Sequence, residues 1–124
     1  MILIDSYGWI EYFADGPLSD KYADYIEKID EENTVTPAIV VYEVYKKIKS
    51  ELSEEKALEA YAQMMRTRVI PLDDNLAIIA ADISLRYGLG MADAIVYATA
   101  RKEEATLITG DKHFKGLEGV VLIE

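Results

Sequence analysis

Cysteine is absent from this 124-residue chain, and histidine occurs only once. The lack of cysteine excludes a disulfide-stapled scaffold, a thiol nucleophile and a cysteine-ligated zinc site. A chain of this length fits one domain, 1–124, and can bury a core large enough to fold without such staples. Its composition, 51% hydrophobic and 29% charged, is that of an ordinary globular protein.

Long apolar stretches are also missing. The longest stretch without a charged side chain runs from Asn33 to Tyr42 and is too short to cross a bilayer. The N-terminal residues show neither a basic leader nor a cleavage site, so we expect no secretory signal. A cytoplasmic location without membrane contact is therefore the default expectation.

Basic residues are few compared with acidic ones. The chain has 13 Lys and Arg against 23 Asp and Glu, which gives a net charge of −10 and a pI of about 4.5. Such a surface repels nucleic acids and anionic membranes, so composition alone argues against a nucleic-acid partner. The excess is uneven, because residues 1–32 hold nine acidic and two basic side chains.

Short apolar runs alternate along the chain with segments that have apolar residues at helical spacing. The runs predict five strands, at residues 2–4, 34–36, 69–72, 106–109 and 120–123. Strands that alternate with helices indicate an α/β protein, a three-layer α/β/α domain around a parallel sheet of four to five strands. In such sheets the functional site lies outside the carboxyl ends of the strands.

Capping residues predict where several helices begin and end. Ser53 and Asp73 are expected N-caps, and Gly88 is expected to end the helix that follows Asp73. In the helix after Ser53, we expect four apolar side chains to face the core: Leu58, Tyr61, Ala62 and Met65.

Four acidic residues stand outside the polar helical faces that hold most of the others. Asp5 and Asp111 follow predicted strands, Glu43 interrupts a very apolar helical turn, and Asp93 has only small or apolar neighbours. Each has an ordinary explanation when taken alone. Asp5 or the adjacent Ser6 can cap a helix, Glu43 can pair with a lysine, Asp93 suits a first helical turn, and Asp111 suits a turn.

Taken together, the four carboxylates are expected to meet at one edge of the sheet. Carboxylates in a partly buried site repel one another by about several kcal/mol, which a divalent cation relieves. Ligation by oxygen atoms alone favours Mg²⁺ or Mn²⁺ over Zn²⁺. Two such ions roughly 4 Å apart would form a centre that cleaves phosphodiester bonds.

Four motifs in this order resemble those of the PIN-domain nucleases, most closely the short VapC toxins of type II toxin–antitoxin pairs. The matching stretches are ILIDS at 2–6, TPAIVVYEV at 36–44, MADAIVYATA at 91–100 and LITGDKHF at 107–114. The resemblance covers the whole chain. It implies an endoribonuclease that depends on one or two Mg²⁺ or Mn²⁺ ions, forms a homodimer and binds a cognate antitoxin.

By position, the resemblance assigns the acidic quartet, both catalytic and metal-binding, to Asp5, Glu43, Asp93 and Asp111. Ser6 and Thr109 match its supporting hydroxyl residues. Hydrolysis by a water nucleophile then leaves 5′-phosphate and 3′-hydroxyl ends on the RNA.

Basic and aromatic side chains complete the expectations for RNA binding. Lys46 and Lys112 are candidates to contact RNA phosphates. His113 is expected to be a turn residue beside Phe114, and Trp9 and the nine tyrosines fit core and interface positions better than base stacking.

Three other functions stay open at this point. One is an RNA-processing PIN nuclease without an antitoxin, which growth arrest relieved by a co-expressed neighbouring gene would distinguish from a toxin. A phospho-acceptor receiver would need paired acids after the first strand, where Asp5 stands alone. A non-catalytic binding domain would be favoured by loss of a quartet acid, and none is lost.

Overall fold

Five short strands form one parallel sheet in the order β3-β2-β1-β4-β5. The computed structural model describes residues 1–124. The strands are β1 (Ile2–Ile4), β2 (Thr34–Pro37), β3 (Arg68–Ile70), β4 (Thr106–Thr109) and β5 (Val120–Leu122). The predicted α/β class and parallel sheet are therefore confirmed.

Six α-helices and one 3₁₀ turn connect the strands. The helices are α1 (Ser6–Phe13), α2 (Ser19–Ile26), α3 (Ala38–Glu51), α4 (Glu54–Met64), α5 (Asp74–Tyr87) and α6 (Met91–Lys102), and the 3₁₀ turn is Lys112–Phe114. None of the helices is both long and apolar enough to cross a membrane.

The direction of the connections reverses beside β1. The chain moves from β1 through β2 to β3, and then returns to β4 on the other side of β1. Because crossovers between parallel strands are right-handed, connections in opposite directions lie on opposite faces of the sheet. Helices α1–α4 therefore cover one face, and α5 and α6 cover the other. A crevice forms where the direction reverses, at the carboxyl ends of β1 and β4.

Local sequence signals account for most helix boundaries. The Ser53 side chain accepts a hydrogen bond from the Lys56 amide, and Asp73 accepts one from the Leu76 amide, so both predicted N-caps are confirmed. Gly88 ends α5 with a φ of 71°, a conformation that glycine adopts without a steric penalty. The third strand ends at Ile70, before Pro71, which has no amide hydrogen for a ladder bond.

The predicted inward face of α4 is wrong by one residue. Leu58 and Tyr61 are 51% and 43% exposed, whereas Ala57, Ala60 and Met64 are buried. Helix α4 packs on α3, and its alanines let the two helices approach closely. Leucine, tyrosine and alanine recur here at similar spacing, so periodicity alone did not distinguish the two faces.

Gly8 allows α1 to pack closely against α2. A Cβ atom at Gly8 would lie 2.5 Å from Tyr22 Cε1 and 2.8 Å from Ile4 Cγ2. Both neighbours are fully buried, so neither can move away easily. The position therefore depends on having no side chain.

We expect Gly8→Ala to lower the free energy of unfolding by about 1–3 kcal/mol because it overpacks the core. Helix propensity alone would give the opposite sign, a gain of about 1 kcal/mol. Urea denaturation measures the difference. Ala62→Ser, which adds one atom at an exposed helical position, should change stability by less than about 0.5 kcal/mol. A stabilised Gly8→Ala protein would contradict the packing.

Candidate metal centre

One small cavity at the carboxyl edge of the sheet contains all four acids singled out from the sequence. Its volume is about 230 Å³, and Asp5, Glu43, Asp93 and Asp111 all line it. They arrive from four places: the end of β1, the second turn of α3, the first turn of α6 and the turn after β4. The structure therefore brings together side chains that are more than a hundred residues apart in sequence.

The remaining lining of this acid cavity is apolar or uncharged. It consists of Ser6, Tyr7, Ile10, Val96 and Phe114. No lysine or arginine lines the cavity, so the carboxylates have no permanent positive charge among the lining residues. Oxygen donors that converge without a lysine or an arginine among them fit a hard divalent cation such as Mg²⁺ or Mn²⁺.

Asp5 is the most buried of the four acids, with 5% of its surface exposed. Its Oδ1 accepts a hydrogen bond from the Gly8 amide at 3.1 Å, which makes Asp5, and not Ser6, the N-cap of α1. Its Oδ2 accepts a hydrogen bond from the Thr109 hydroxyl. Capping therefore does not exclude Asp5 from the site, because the same contacts orient the carboxylate at the cavity.

Thr109 connects two of the acids. Its hydroxyl oxygen accepts a hydrogen bond from the Asp111 amide at 2.9 Å while its hydrogen is donated to Asp5. The residue is fully buried at the end of β4, next to β1. Thr109 thereby sets the position of the Asp111 backbone relative to the Asp5 carboxylate.

Gly110 permits the chain to turn toward the cavity directly after β4. A Cβ atom at this position would lie 2.7 Å from Tyr7 Cε1 and 2.9 Å from the Tyr22 hydroxyl. Because Tyr22 is fully buried, a larger residue would displace the turn. The close approach at Gly110 thus places Asp111 at the cavity.

His113 also belongs to this site, which the sequence analysis did not predict. Its Nδ1 lies 3.2 Å from Asp93 Oδ2 and 3.3 Å from Asp111 Oδ1, so the three side chains form a group able to hold a cation. The ring is 76% exposed. In the sequence, the position of His113 two residues after Asp111 is the signal that could have indicated this role. Asp111 caps the 3₁₀ turn, and the turn brings the His113 ring back toward the acids.

Burial, with smaller contributions from neighbouring acids, raises the pKa of three carboxyl groups of the site, those of Asp5, Glu43 and Asp93. Desolvation is the largest cause and, with smaller contributions from Asp111 and Asp93, raises the pKa of Asp5 to about 7 against its hydrogen bonds from Thr109 and Gly8. Burial also raises the pKa of Glu43, although the Ser6 hydroxyl opposes the shift. For Asp93, burial and then Asp111 raise the pKa, and His113 opposes them.

The two candidate phosphate-binding lysines lie outside the acid cavity. Lys46 lines an adjoining groove on α3 that shares Glu43 with the cavity. Lys112 follows Asp111 directly and is exposed, but it does not line the cavity. The structure thus places Lys46 beside the acids along α3 and Lys112 at the start of the 3₁₀ turn.

Comparison with protein families gives a match over almost the whole chain. The PIN domain model matches residues 2–120. No curated protein sequence matches the chain significantly.

Several solved structures share the fold. A toxin–antitoxin complex from Klebsiella pneumoniae is 24% identical with a TM-score of 0.82, over 100% of this chain and 98% of that one. The sarcin–ricin-loop-cleaving toxin VapC20 of Mycobacterium tuberculosis is 17% identical with a TM-score of 0.82, over 100% of both chains. VapBC2 of Rickettsia felis, bound to a promoter DNA fragment, is 20% identical with a TM-score of 0.73, over 98% and 97%.

Asp5 should make stability depend on pH when no cation is bound. Its pKa is raised in the folded state, so the folded chain holds the proton more tightly than the unfolded chain, whose Asp titrates near 3.8. The free energy of unfolding should therefore fall as the pH rises from about 4 to about 7 and stay low above that range. Asp5→Asn removes this penalty and keeps a residue that can cap α1.

We expect Asp5→Asn to stabilise the chelator-treated protein at pH 8 by on the order of 2–4 kcal/mol, and to have little effect below about pH 4. Urea denaturation across this pH range measures the difference between variant and wild type. Asp74→Asn makes the same chemical change in the first turn of α5 and serves as the control. Equal stability of Asp5→Asn and wild type at pH 8 would show that the Asp5 carboxylate carries no burial penalty.

Proposed function

This chain belongs to the PIN-domain family, and from that membership we propose that it is a divalent-metal-dependent endoribonuclease and the toxin of a toxin–antitoxin pair. The observation that carries the proposal is the convergence of four carboxylates in one cavity without a lysine or arginine among its lining residues. Such a donor set suits cations, whereas a purely structural cluster of four acids would be expected to contain a lysine or an arginine as a partner.

We assign Asp5 and Asp93 to hold a first ion, with Glu43 and Asp111 completing that site or sharing a second. A bound divalent cation would supply a lowered pKa for the attacking water and positive charge to offset the charge that develops on the phosphate. His113 adds a nitrogen donor beside Asp93 and Asp111. Imidazole nitrogen suits Mn²⁺ better than Mg²⁺, which favours Mn²⁺ if His113 takes part.

The chain's own residues hold the carboxylates in place for this chemistry. Thr109 orients Asp5 and the backbone of Asp111 through two hydrogen bonds. The Asp5 carboxylate is further fixed by the Gly8 amide at the start of α1. The reacting phosphate would enter from the open side of the cavity, where Asp93 and His113 are partly or largely exposed.

A protein partner is supported by the structural neighbours, several of which were solved as toxin–antitoxin complexes. By this likeness we propose that an antitoxin binds the present chain.

A homodimer is supported by an apolar groove of about 400 Å³ between α5 and α6. Its rim includes Leu72 and Met91, which are 47% and 76% exposed, and a second copy would remove this surface from water.

Metal binding tests the acid site without reference to activity. Isothermal titration of the wild-type protein with Mn²⁺ should show binding, and Asp93→Asn should weaken it at least about tenfold because it removes a charged ligand. Asp74→Asn, the matched change in the first turn of α5, should bind Mn²⁺ like the wild type. Failure of the wild type to bind Mn²⁺ and Mg²⁺ would remove the basis of the proposal.

RNA cleavage tests the reaction itself. With Mn²⁺, the wild-type protein should cut single-stranded RNA and leave 5′-phosphate and 3′-hydroxyl ends, because a water molecule is the nucleophile. Asp5→Asn and Asp93→Asn should reduce cleavage by about a thousandfold or more while the circular dichroism spectrum stays native. Product ends with 2′,3′-cyclic phosphates, or full activity of both variants, would exclude the proposed reaction.

A further inference from the structure

A second groove continues directly from the acid cavity along α3. It has a volume of about 350 Å³ and shares Ser6, Ile10 and Glu43 with the cavity. A polymer whose phosphate lies at the four acids therefore has an open path across this groove. We call it the α3 groove.

The part of the α3 groove beyond the shared residues differs in character from the acid cavity. It is lined by Tyr42, Lys46, Lys47 and Ser50, all on α3. Aromatic, basic and hydroxyl side chains of α3 thus lie next to the carboxylates, within a few residues of Glu43 in sequence. In a chain with a net charge of −10, this places two positive charges next to the acid cavity.

Tyr42 and Lys46 form a pair that is exposed to solvent. Tyr42 is 61% exposed, and the Lys46 ammonium lies 5.4 Å from the centre of its ring and 3.2 Å from its hydroxyl. Lys46 forms no salt bridge, whereas Lys47 is paired with Glu51 at 2.8 Å. Lys46 therefore has the less compensated positive charge of the two.

We propose that the α3 groove is a subsite for single-stranded RNA, where Tyr42 stacks on the base next to the scissile phosphate and Lys46 contacts the adjoining phosphate. This inference rests on the nuclease function proposed above. Stacking on an exposed tyrosine requires an unpaired base, which is why the subsite suits a single strand. Protein grooves that bind single-stranded nucleic acids combine exposed aromatic rings with basic side chains.

The same helix offers an internal comparison. Lys49 lies over the Tyr45 ring, also at 5.4 Å, with the same spacing of four residues. This second pair does not line the α3 groove, and Lys49 contacts Glu54 at 3.5 Å. The tyrosine–lysine spacing on α3 therefore does not by itself identify a subsite. Tyr42 and Lys46 differ from the second pair because they lie next to the acids.

Fluorescence anisotropy with a short labelled single-stranded RNA of mixed sequence tests the subsite. Calcium replaces Mn²⁺ in the titration so that binding is measured apart from turnover. We expect Tyr42→Ala to weaken binding about tenfold, the loss of one stacked base. Lys46→Ala should lower the slope of log affinity against log salt by about 0.7, the loss of one phosphate contact.

Matched variants separate this effect from general damage. Lys49→Ala and Tyr61→Ala remove an exposed lysine and an exposed tyrosine outside the groove and should bind RNA like the wild type. In Mn²⁺-dependent cleavage, Tyr42→Ala should raise KM more than it lowers kcat. Unchanged RNA affinity and KM for both Tyr42→Ala and Lys46→Ala would overturn the subsite, as would a loss that the control variants share.

The outcomes also separate this inference from the proposed function. If the wild type cleaves RNA and the Tyr42 and Lys46 variants match it, only the subsite is wrong. If the wild type binds RNA through Tyr42 and Lys46 but does not cleave it, the subsite stands and the nuclease function is wrong. If the groove instead receives a protein segment, RNA binding is unaffected by the variants and the subsite is overturned.

Discussion

The burial of carboxylates that crowd together at one edge of the sheet is the constraint on which the other features of the site depend. Burial raises the pKa of Asp5, Glu43 and Asp93, and the neighbouring charges of Asp93 and Asp111 raise these pKa values further. Hydrogen bonds from Gly8 and Thr109 only partly compensate. The fold thus maintains an arrangement that is unfavourable without a cation, a cost that functional sites commonly impose on stability.

The topology makes this arrangement possible. Because the chain reverses direction beside β1, the ends of β1 and β4 are neighbours with a crevice between the two helical layers. Asp5 and Asp111 leave these two strands, and Thr109 joins them by hydrogen bonds. Glycine at positions 8 and 110 lets aromatic side chains approach closely enough to keep α1 and the β4 turn in place. The contacts that pack α1 and the β4 turn therefore also set the geometry of the site.

Net charge is a poor guide to the partners of this chain. A total of −10 argues against nucleic acid, yet four of the acids converge in one cavity with a donor set suited to cations. Much of the remaining excess lies in residues 1–32, which hold eight acidic side chains besides Asp5. The lysines of the α3 groove lie beside the cavity. The electrostatic potential along the binding path matters more than the net charge of the chain, because charges more than about 10 Å away are screened by salt.

The sequence by itself determined the α/β class, the parallel sheet, the caps at Ser53 and Asp73 and the four acids that follow strands or lie in the first two turns of helices, since these depend on local periodicity and capping chemistry. Tertiary structure decided which face of α4 is buried, because two apolar stripes have similar spacing and only packing on α3 selects the alanines. It also decided the dual role of Asp5 as cap and cavity residue, the approach of His113 to Asp93 and the continuity of the α3 groove with the acids. These contacts join residues distant in sequence, and no local pattern specifies the distances between them.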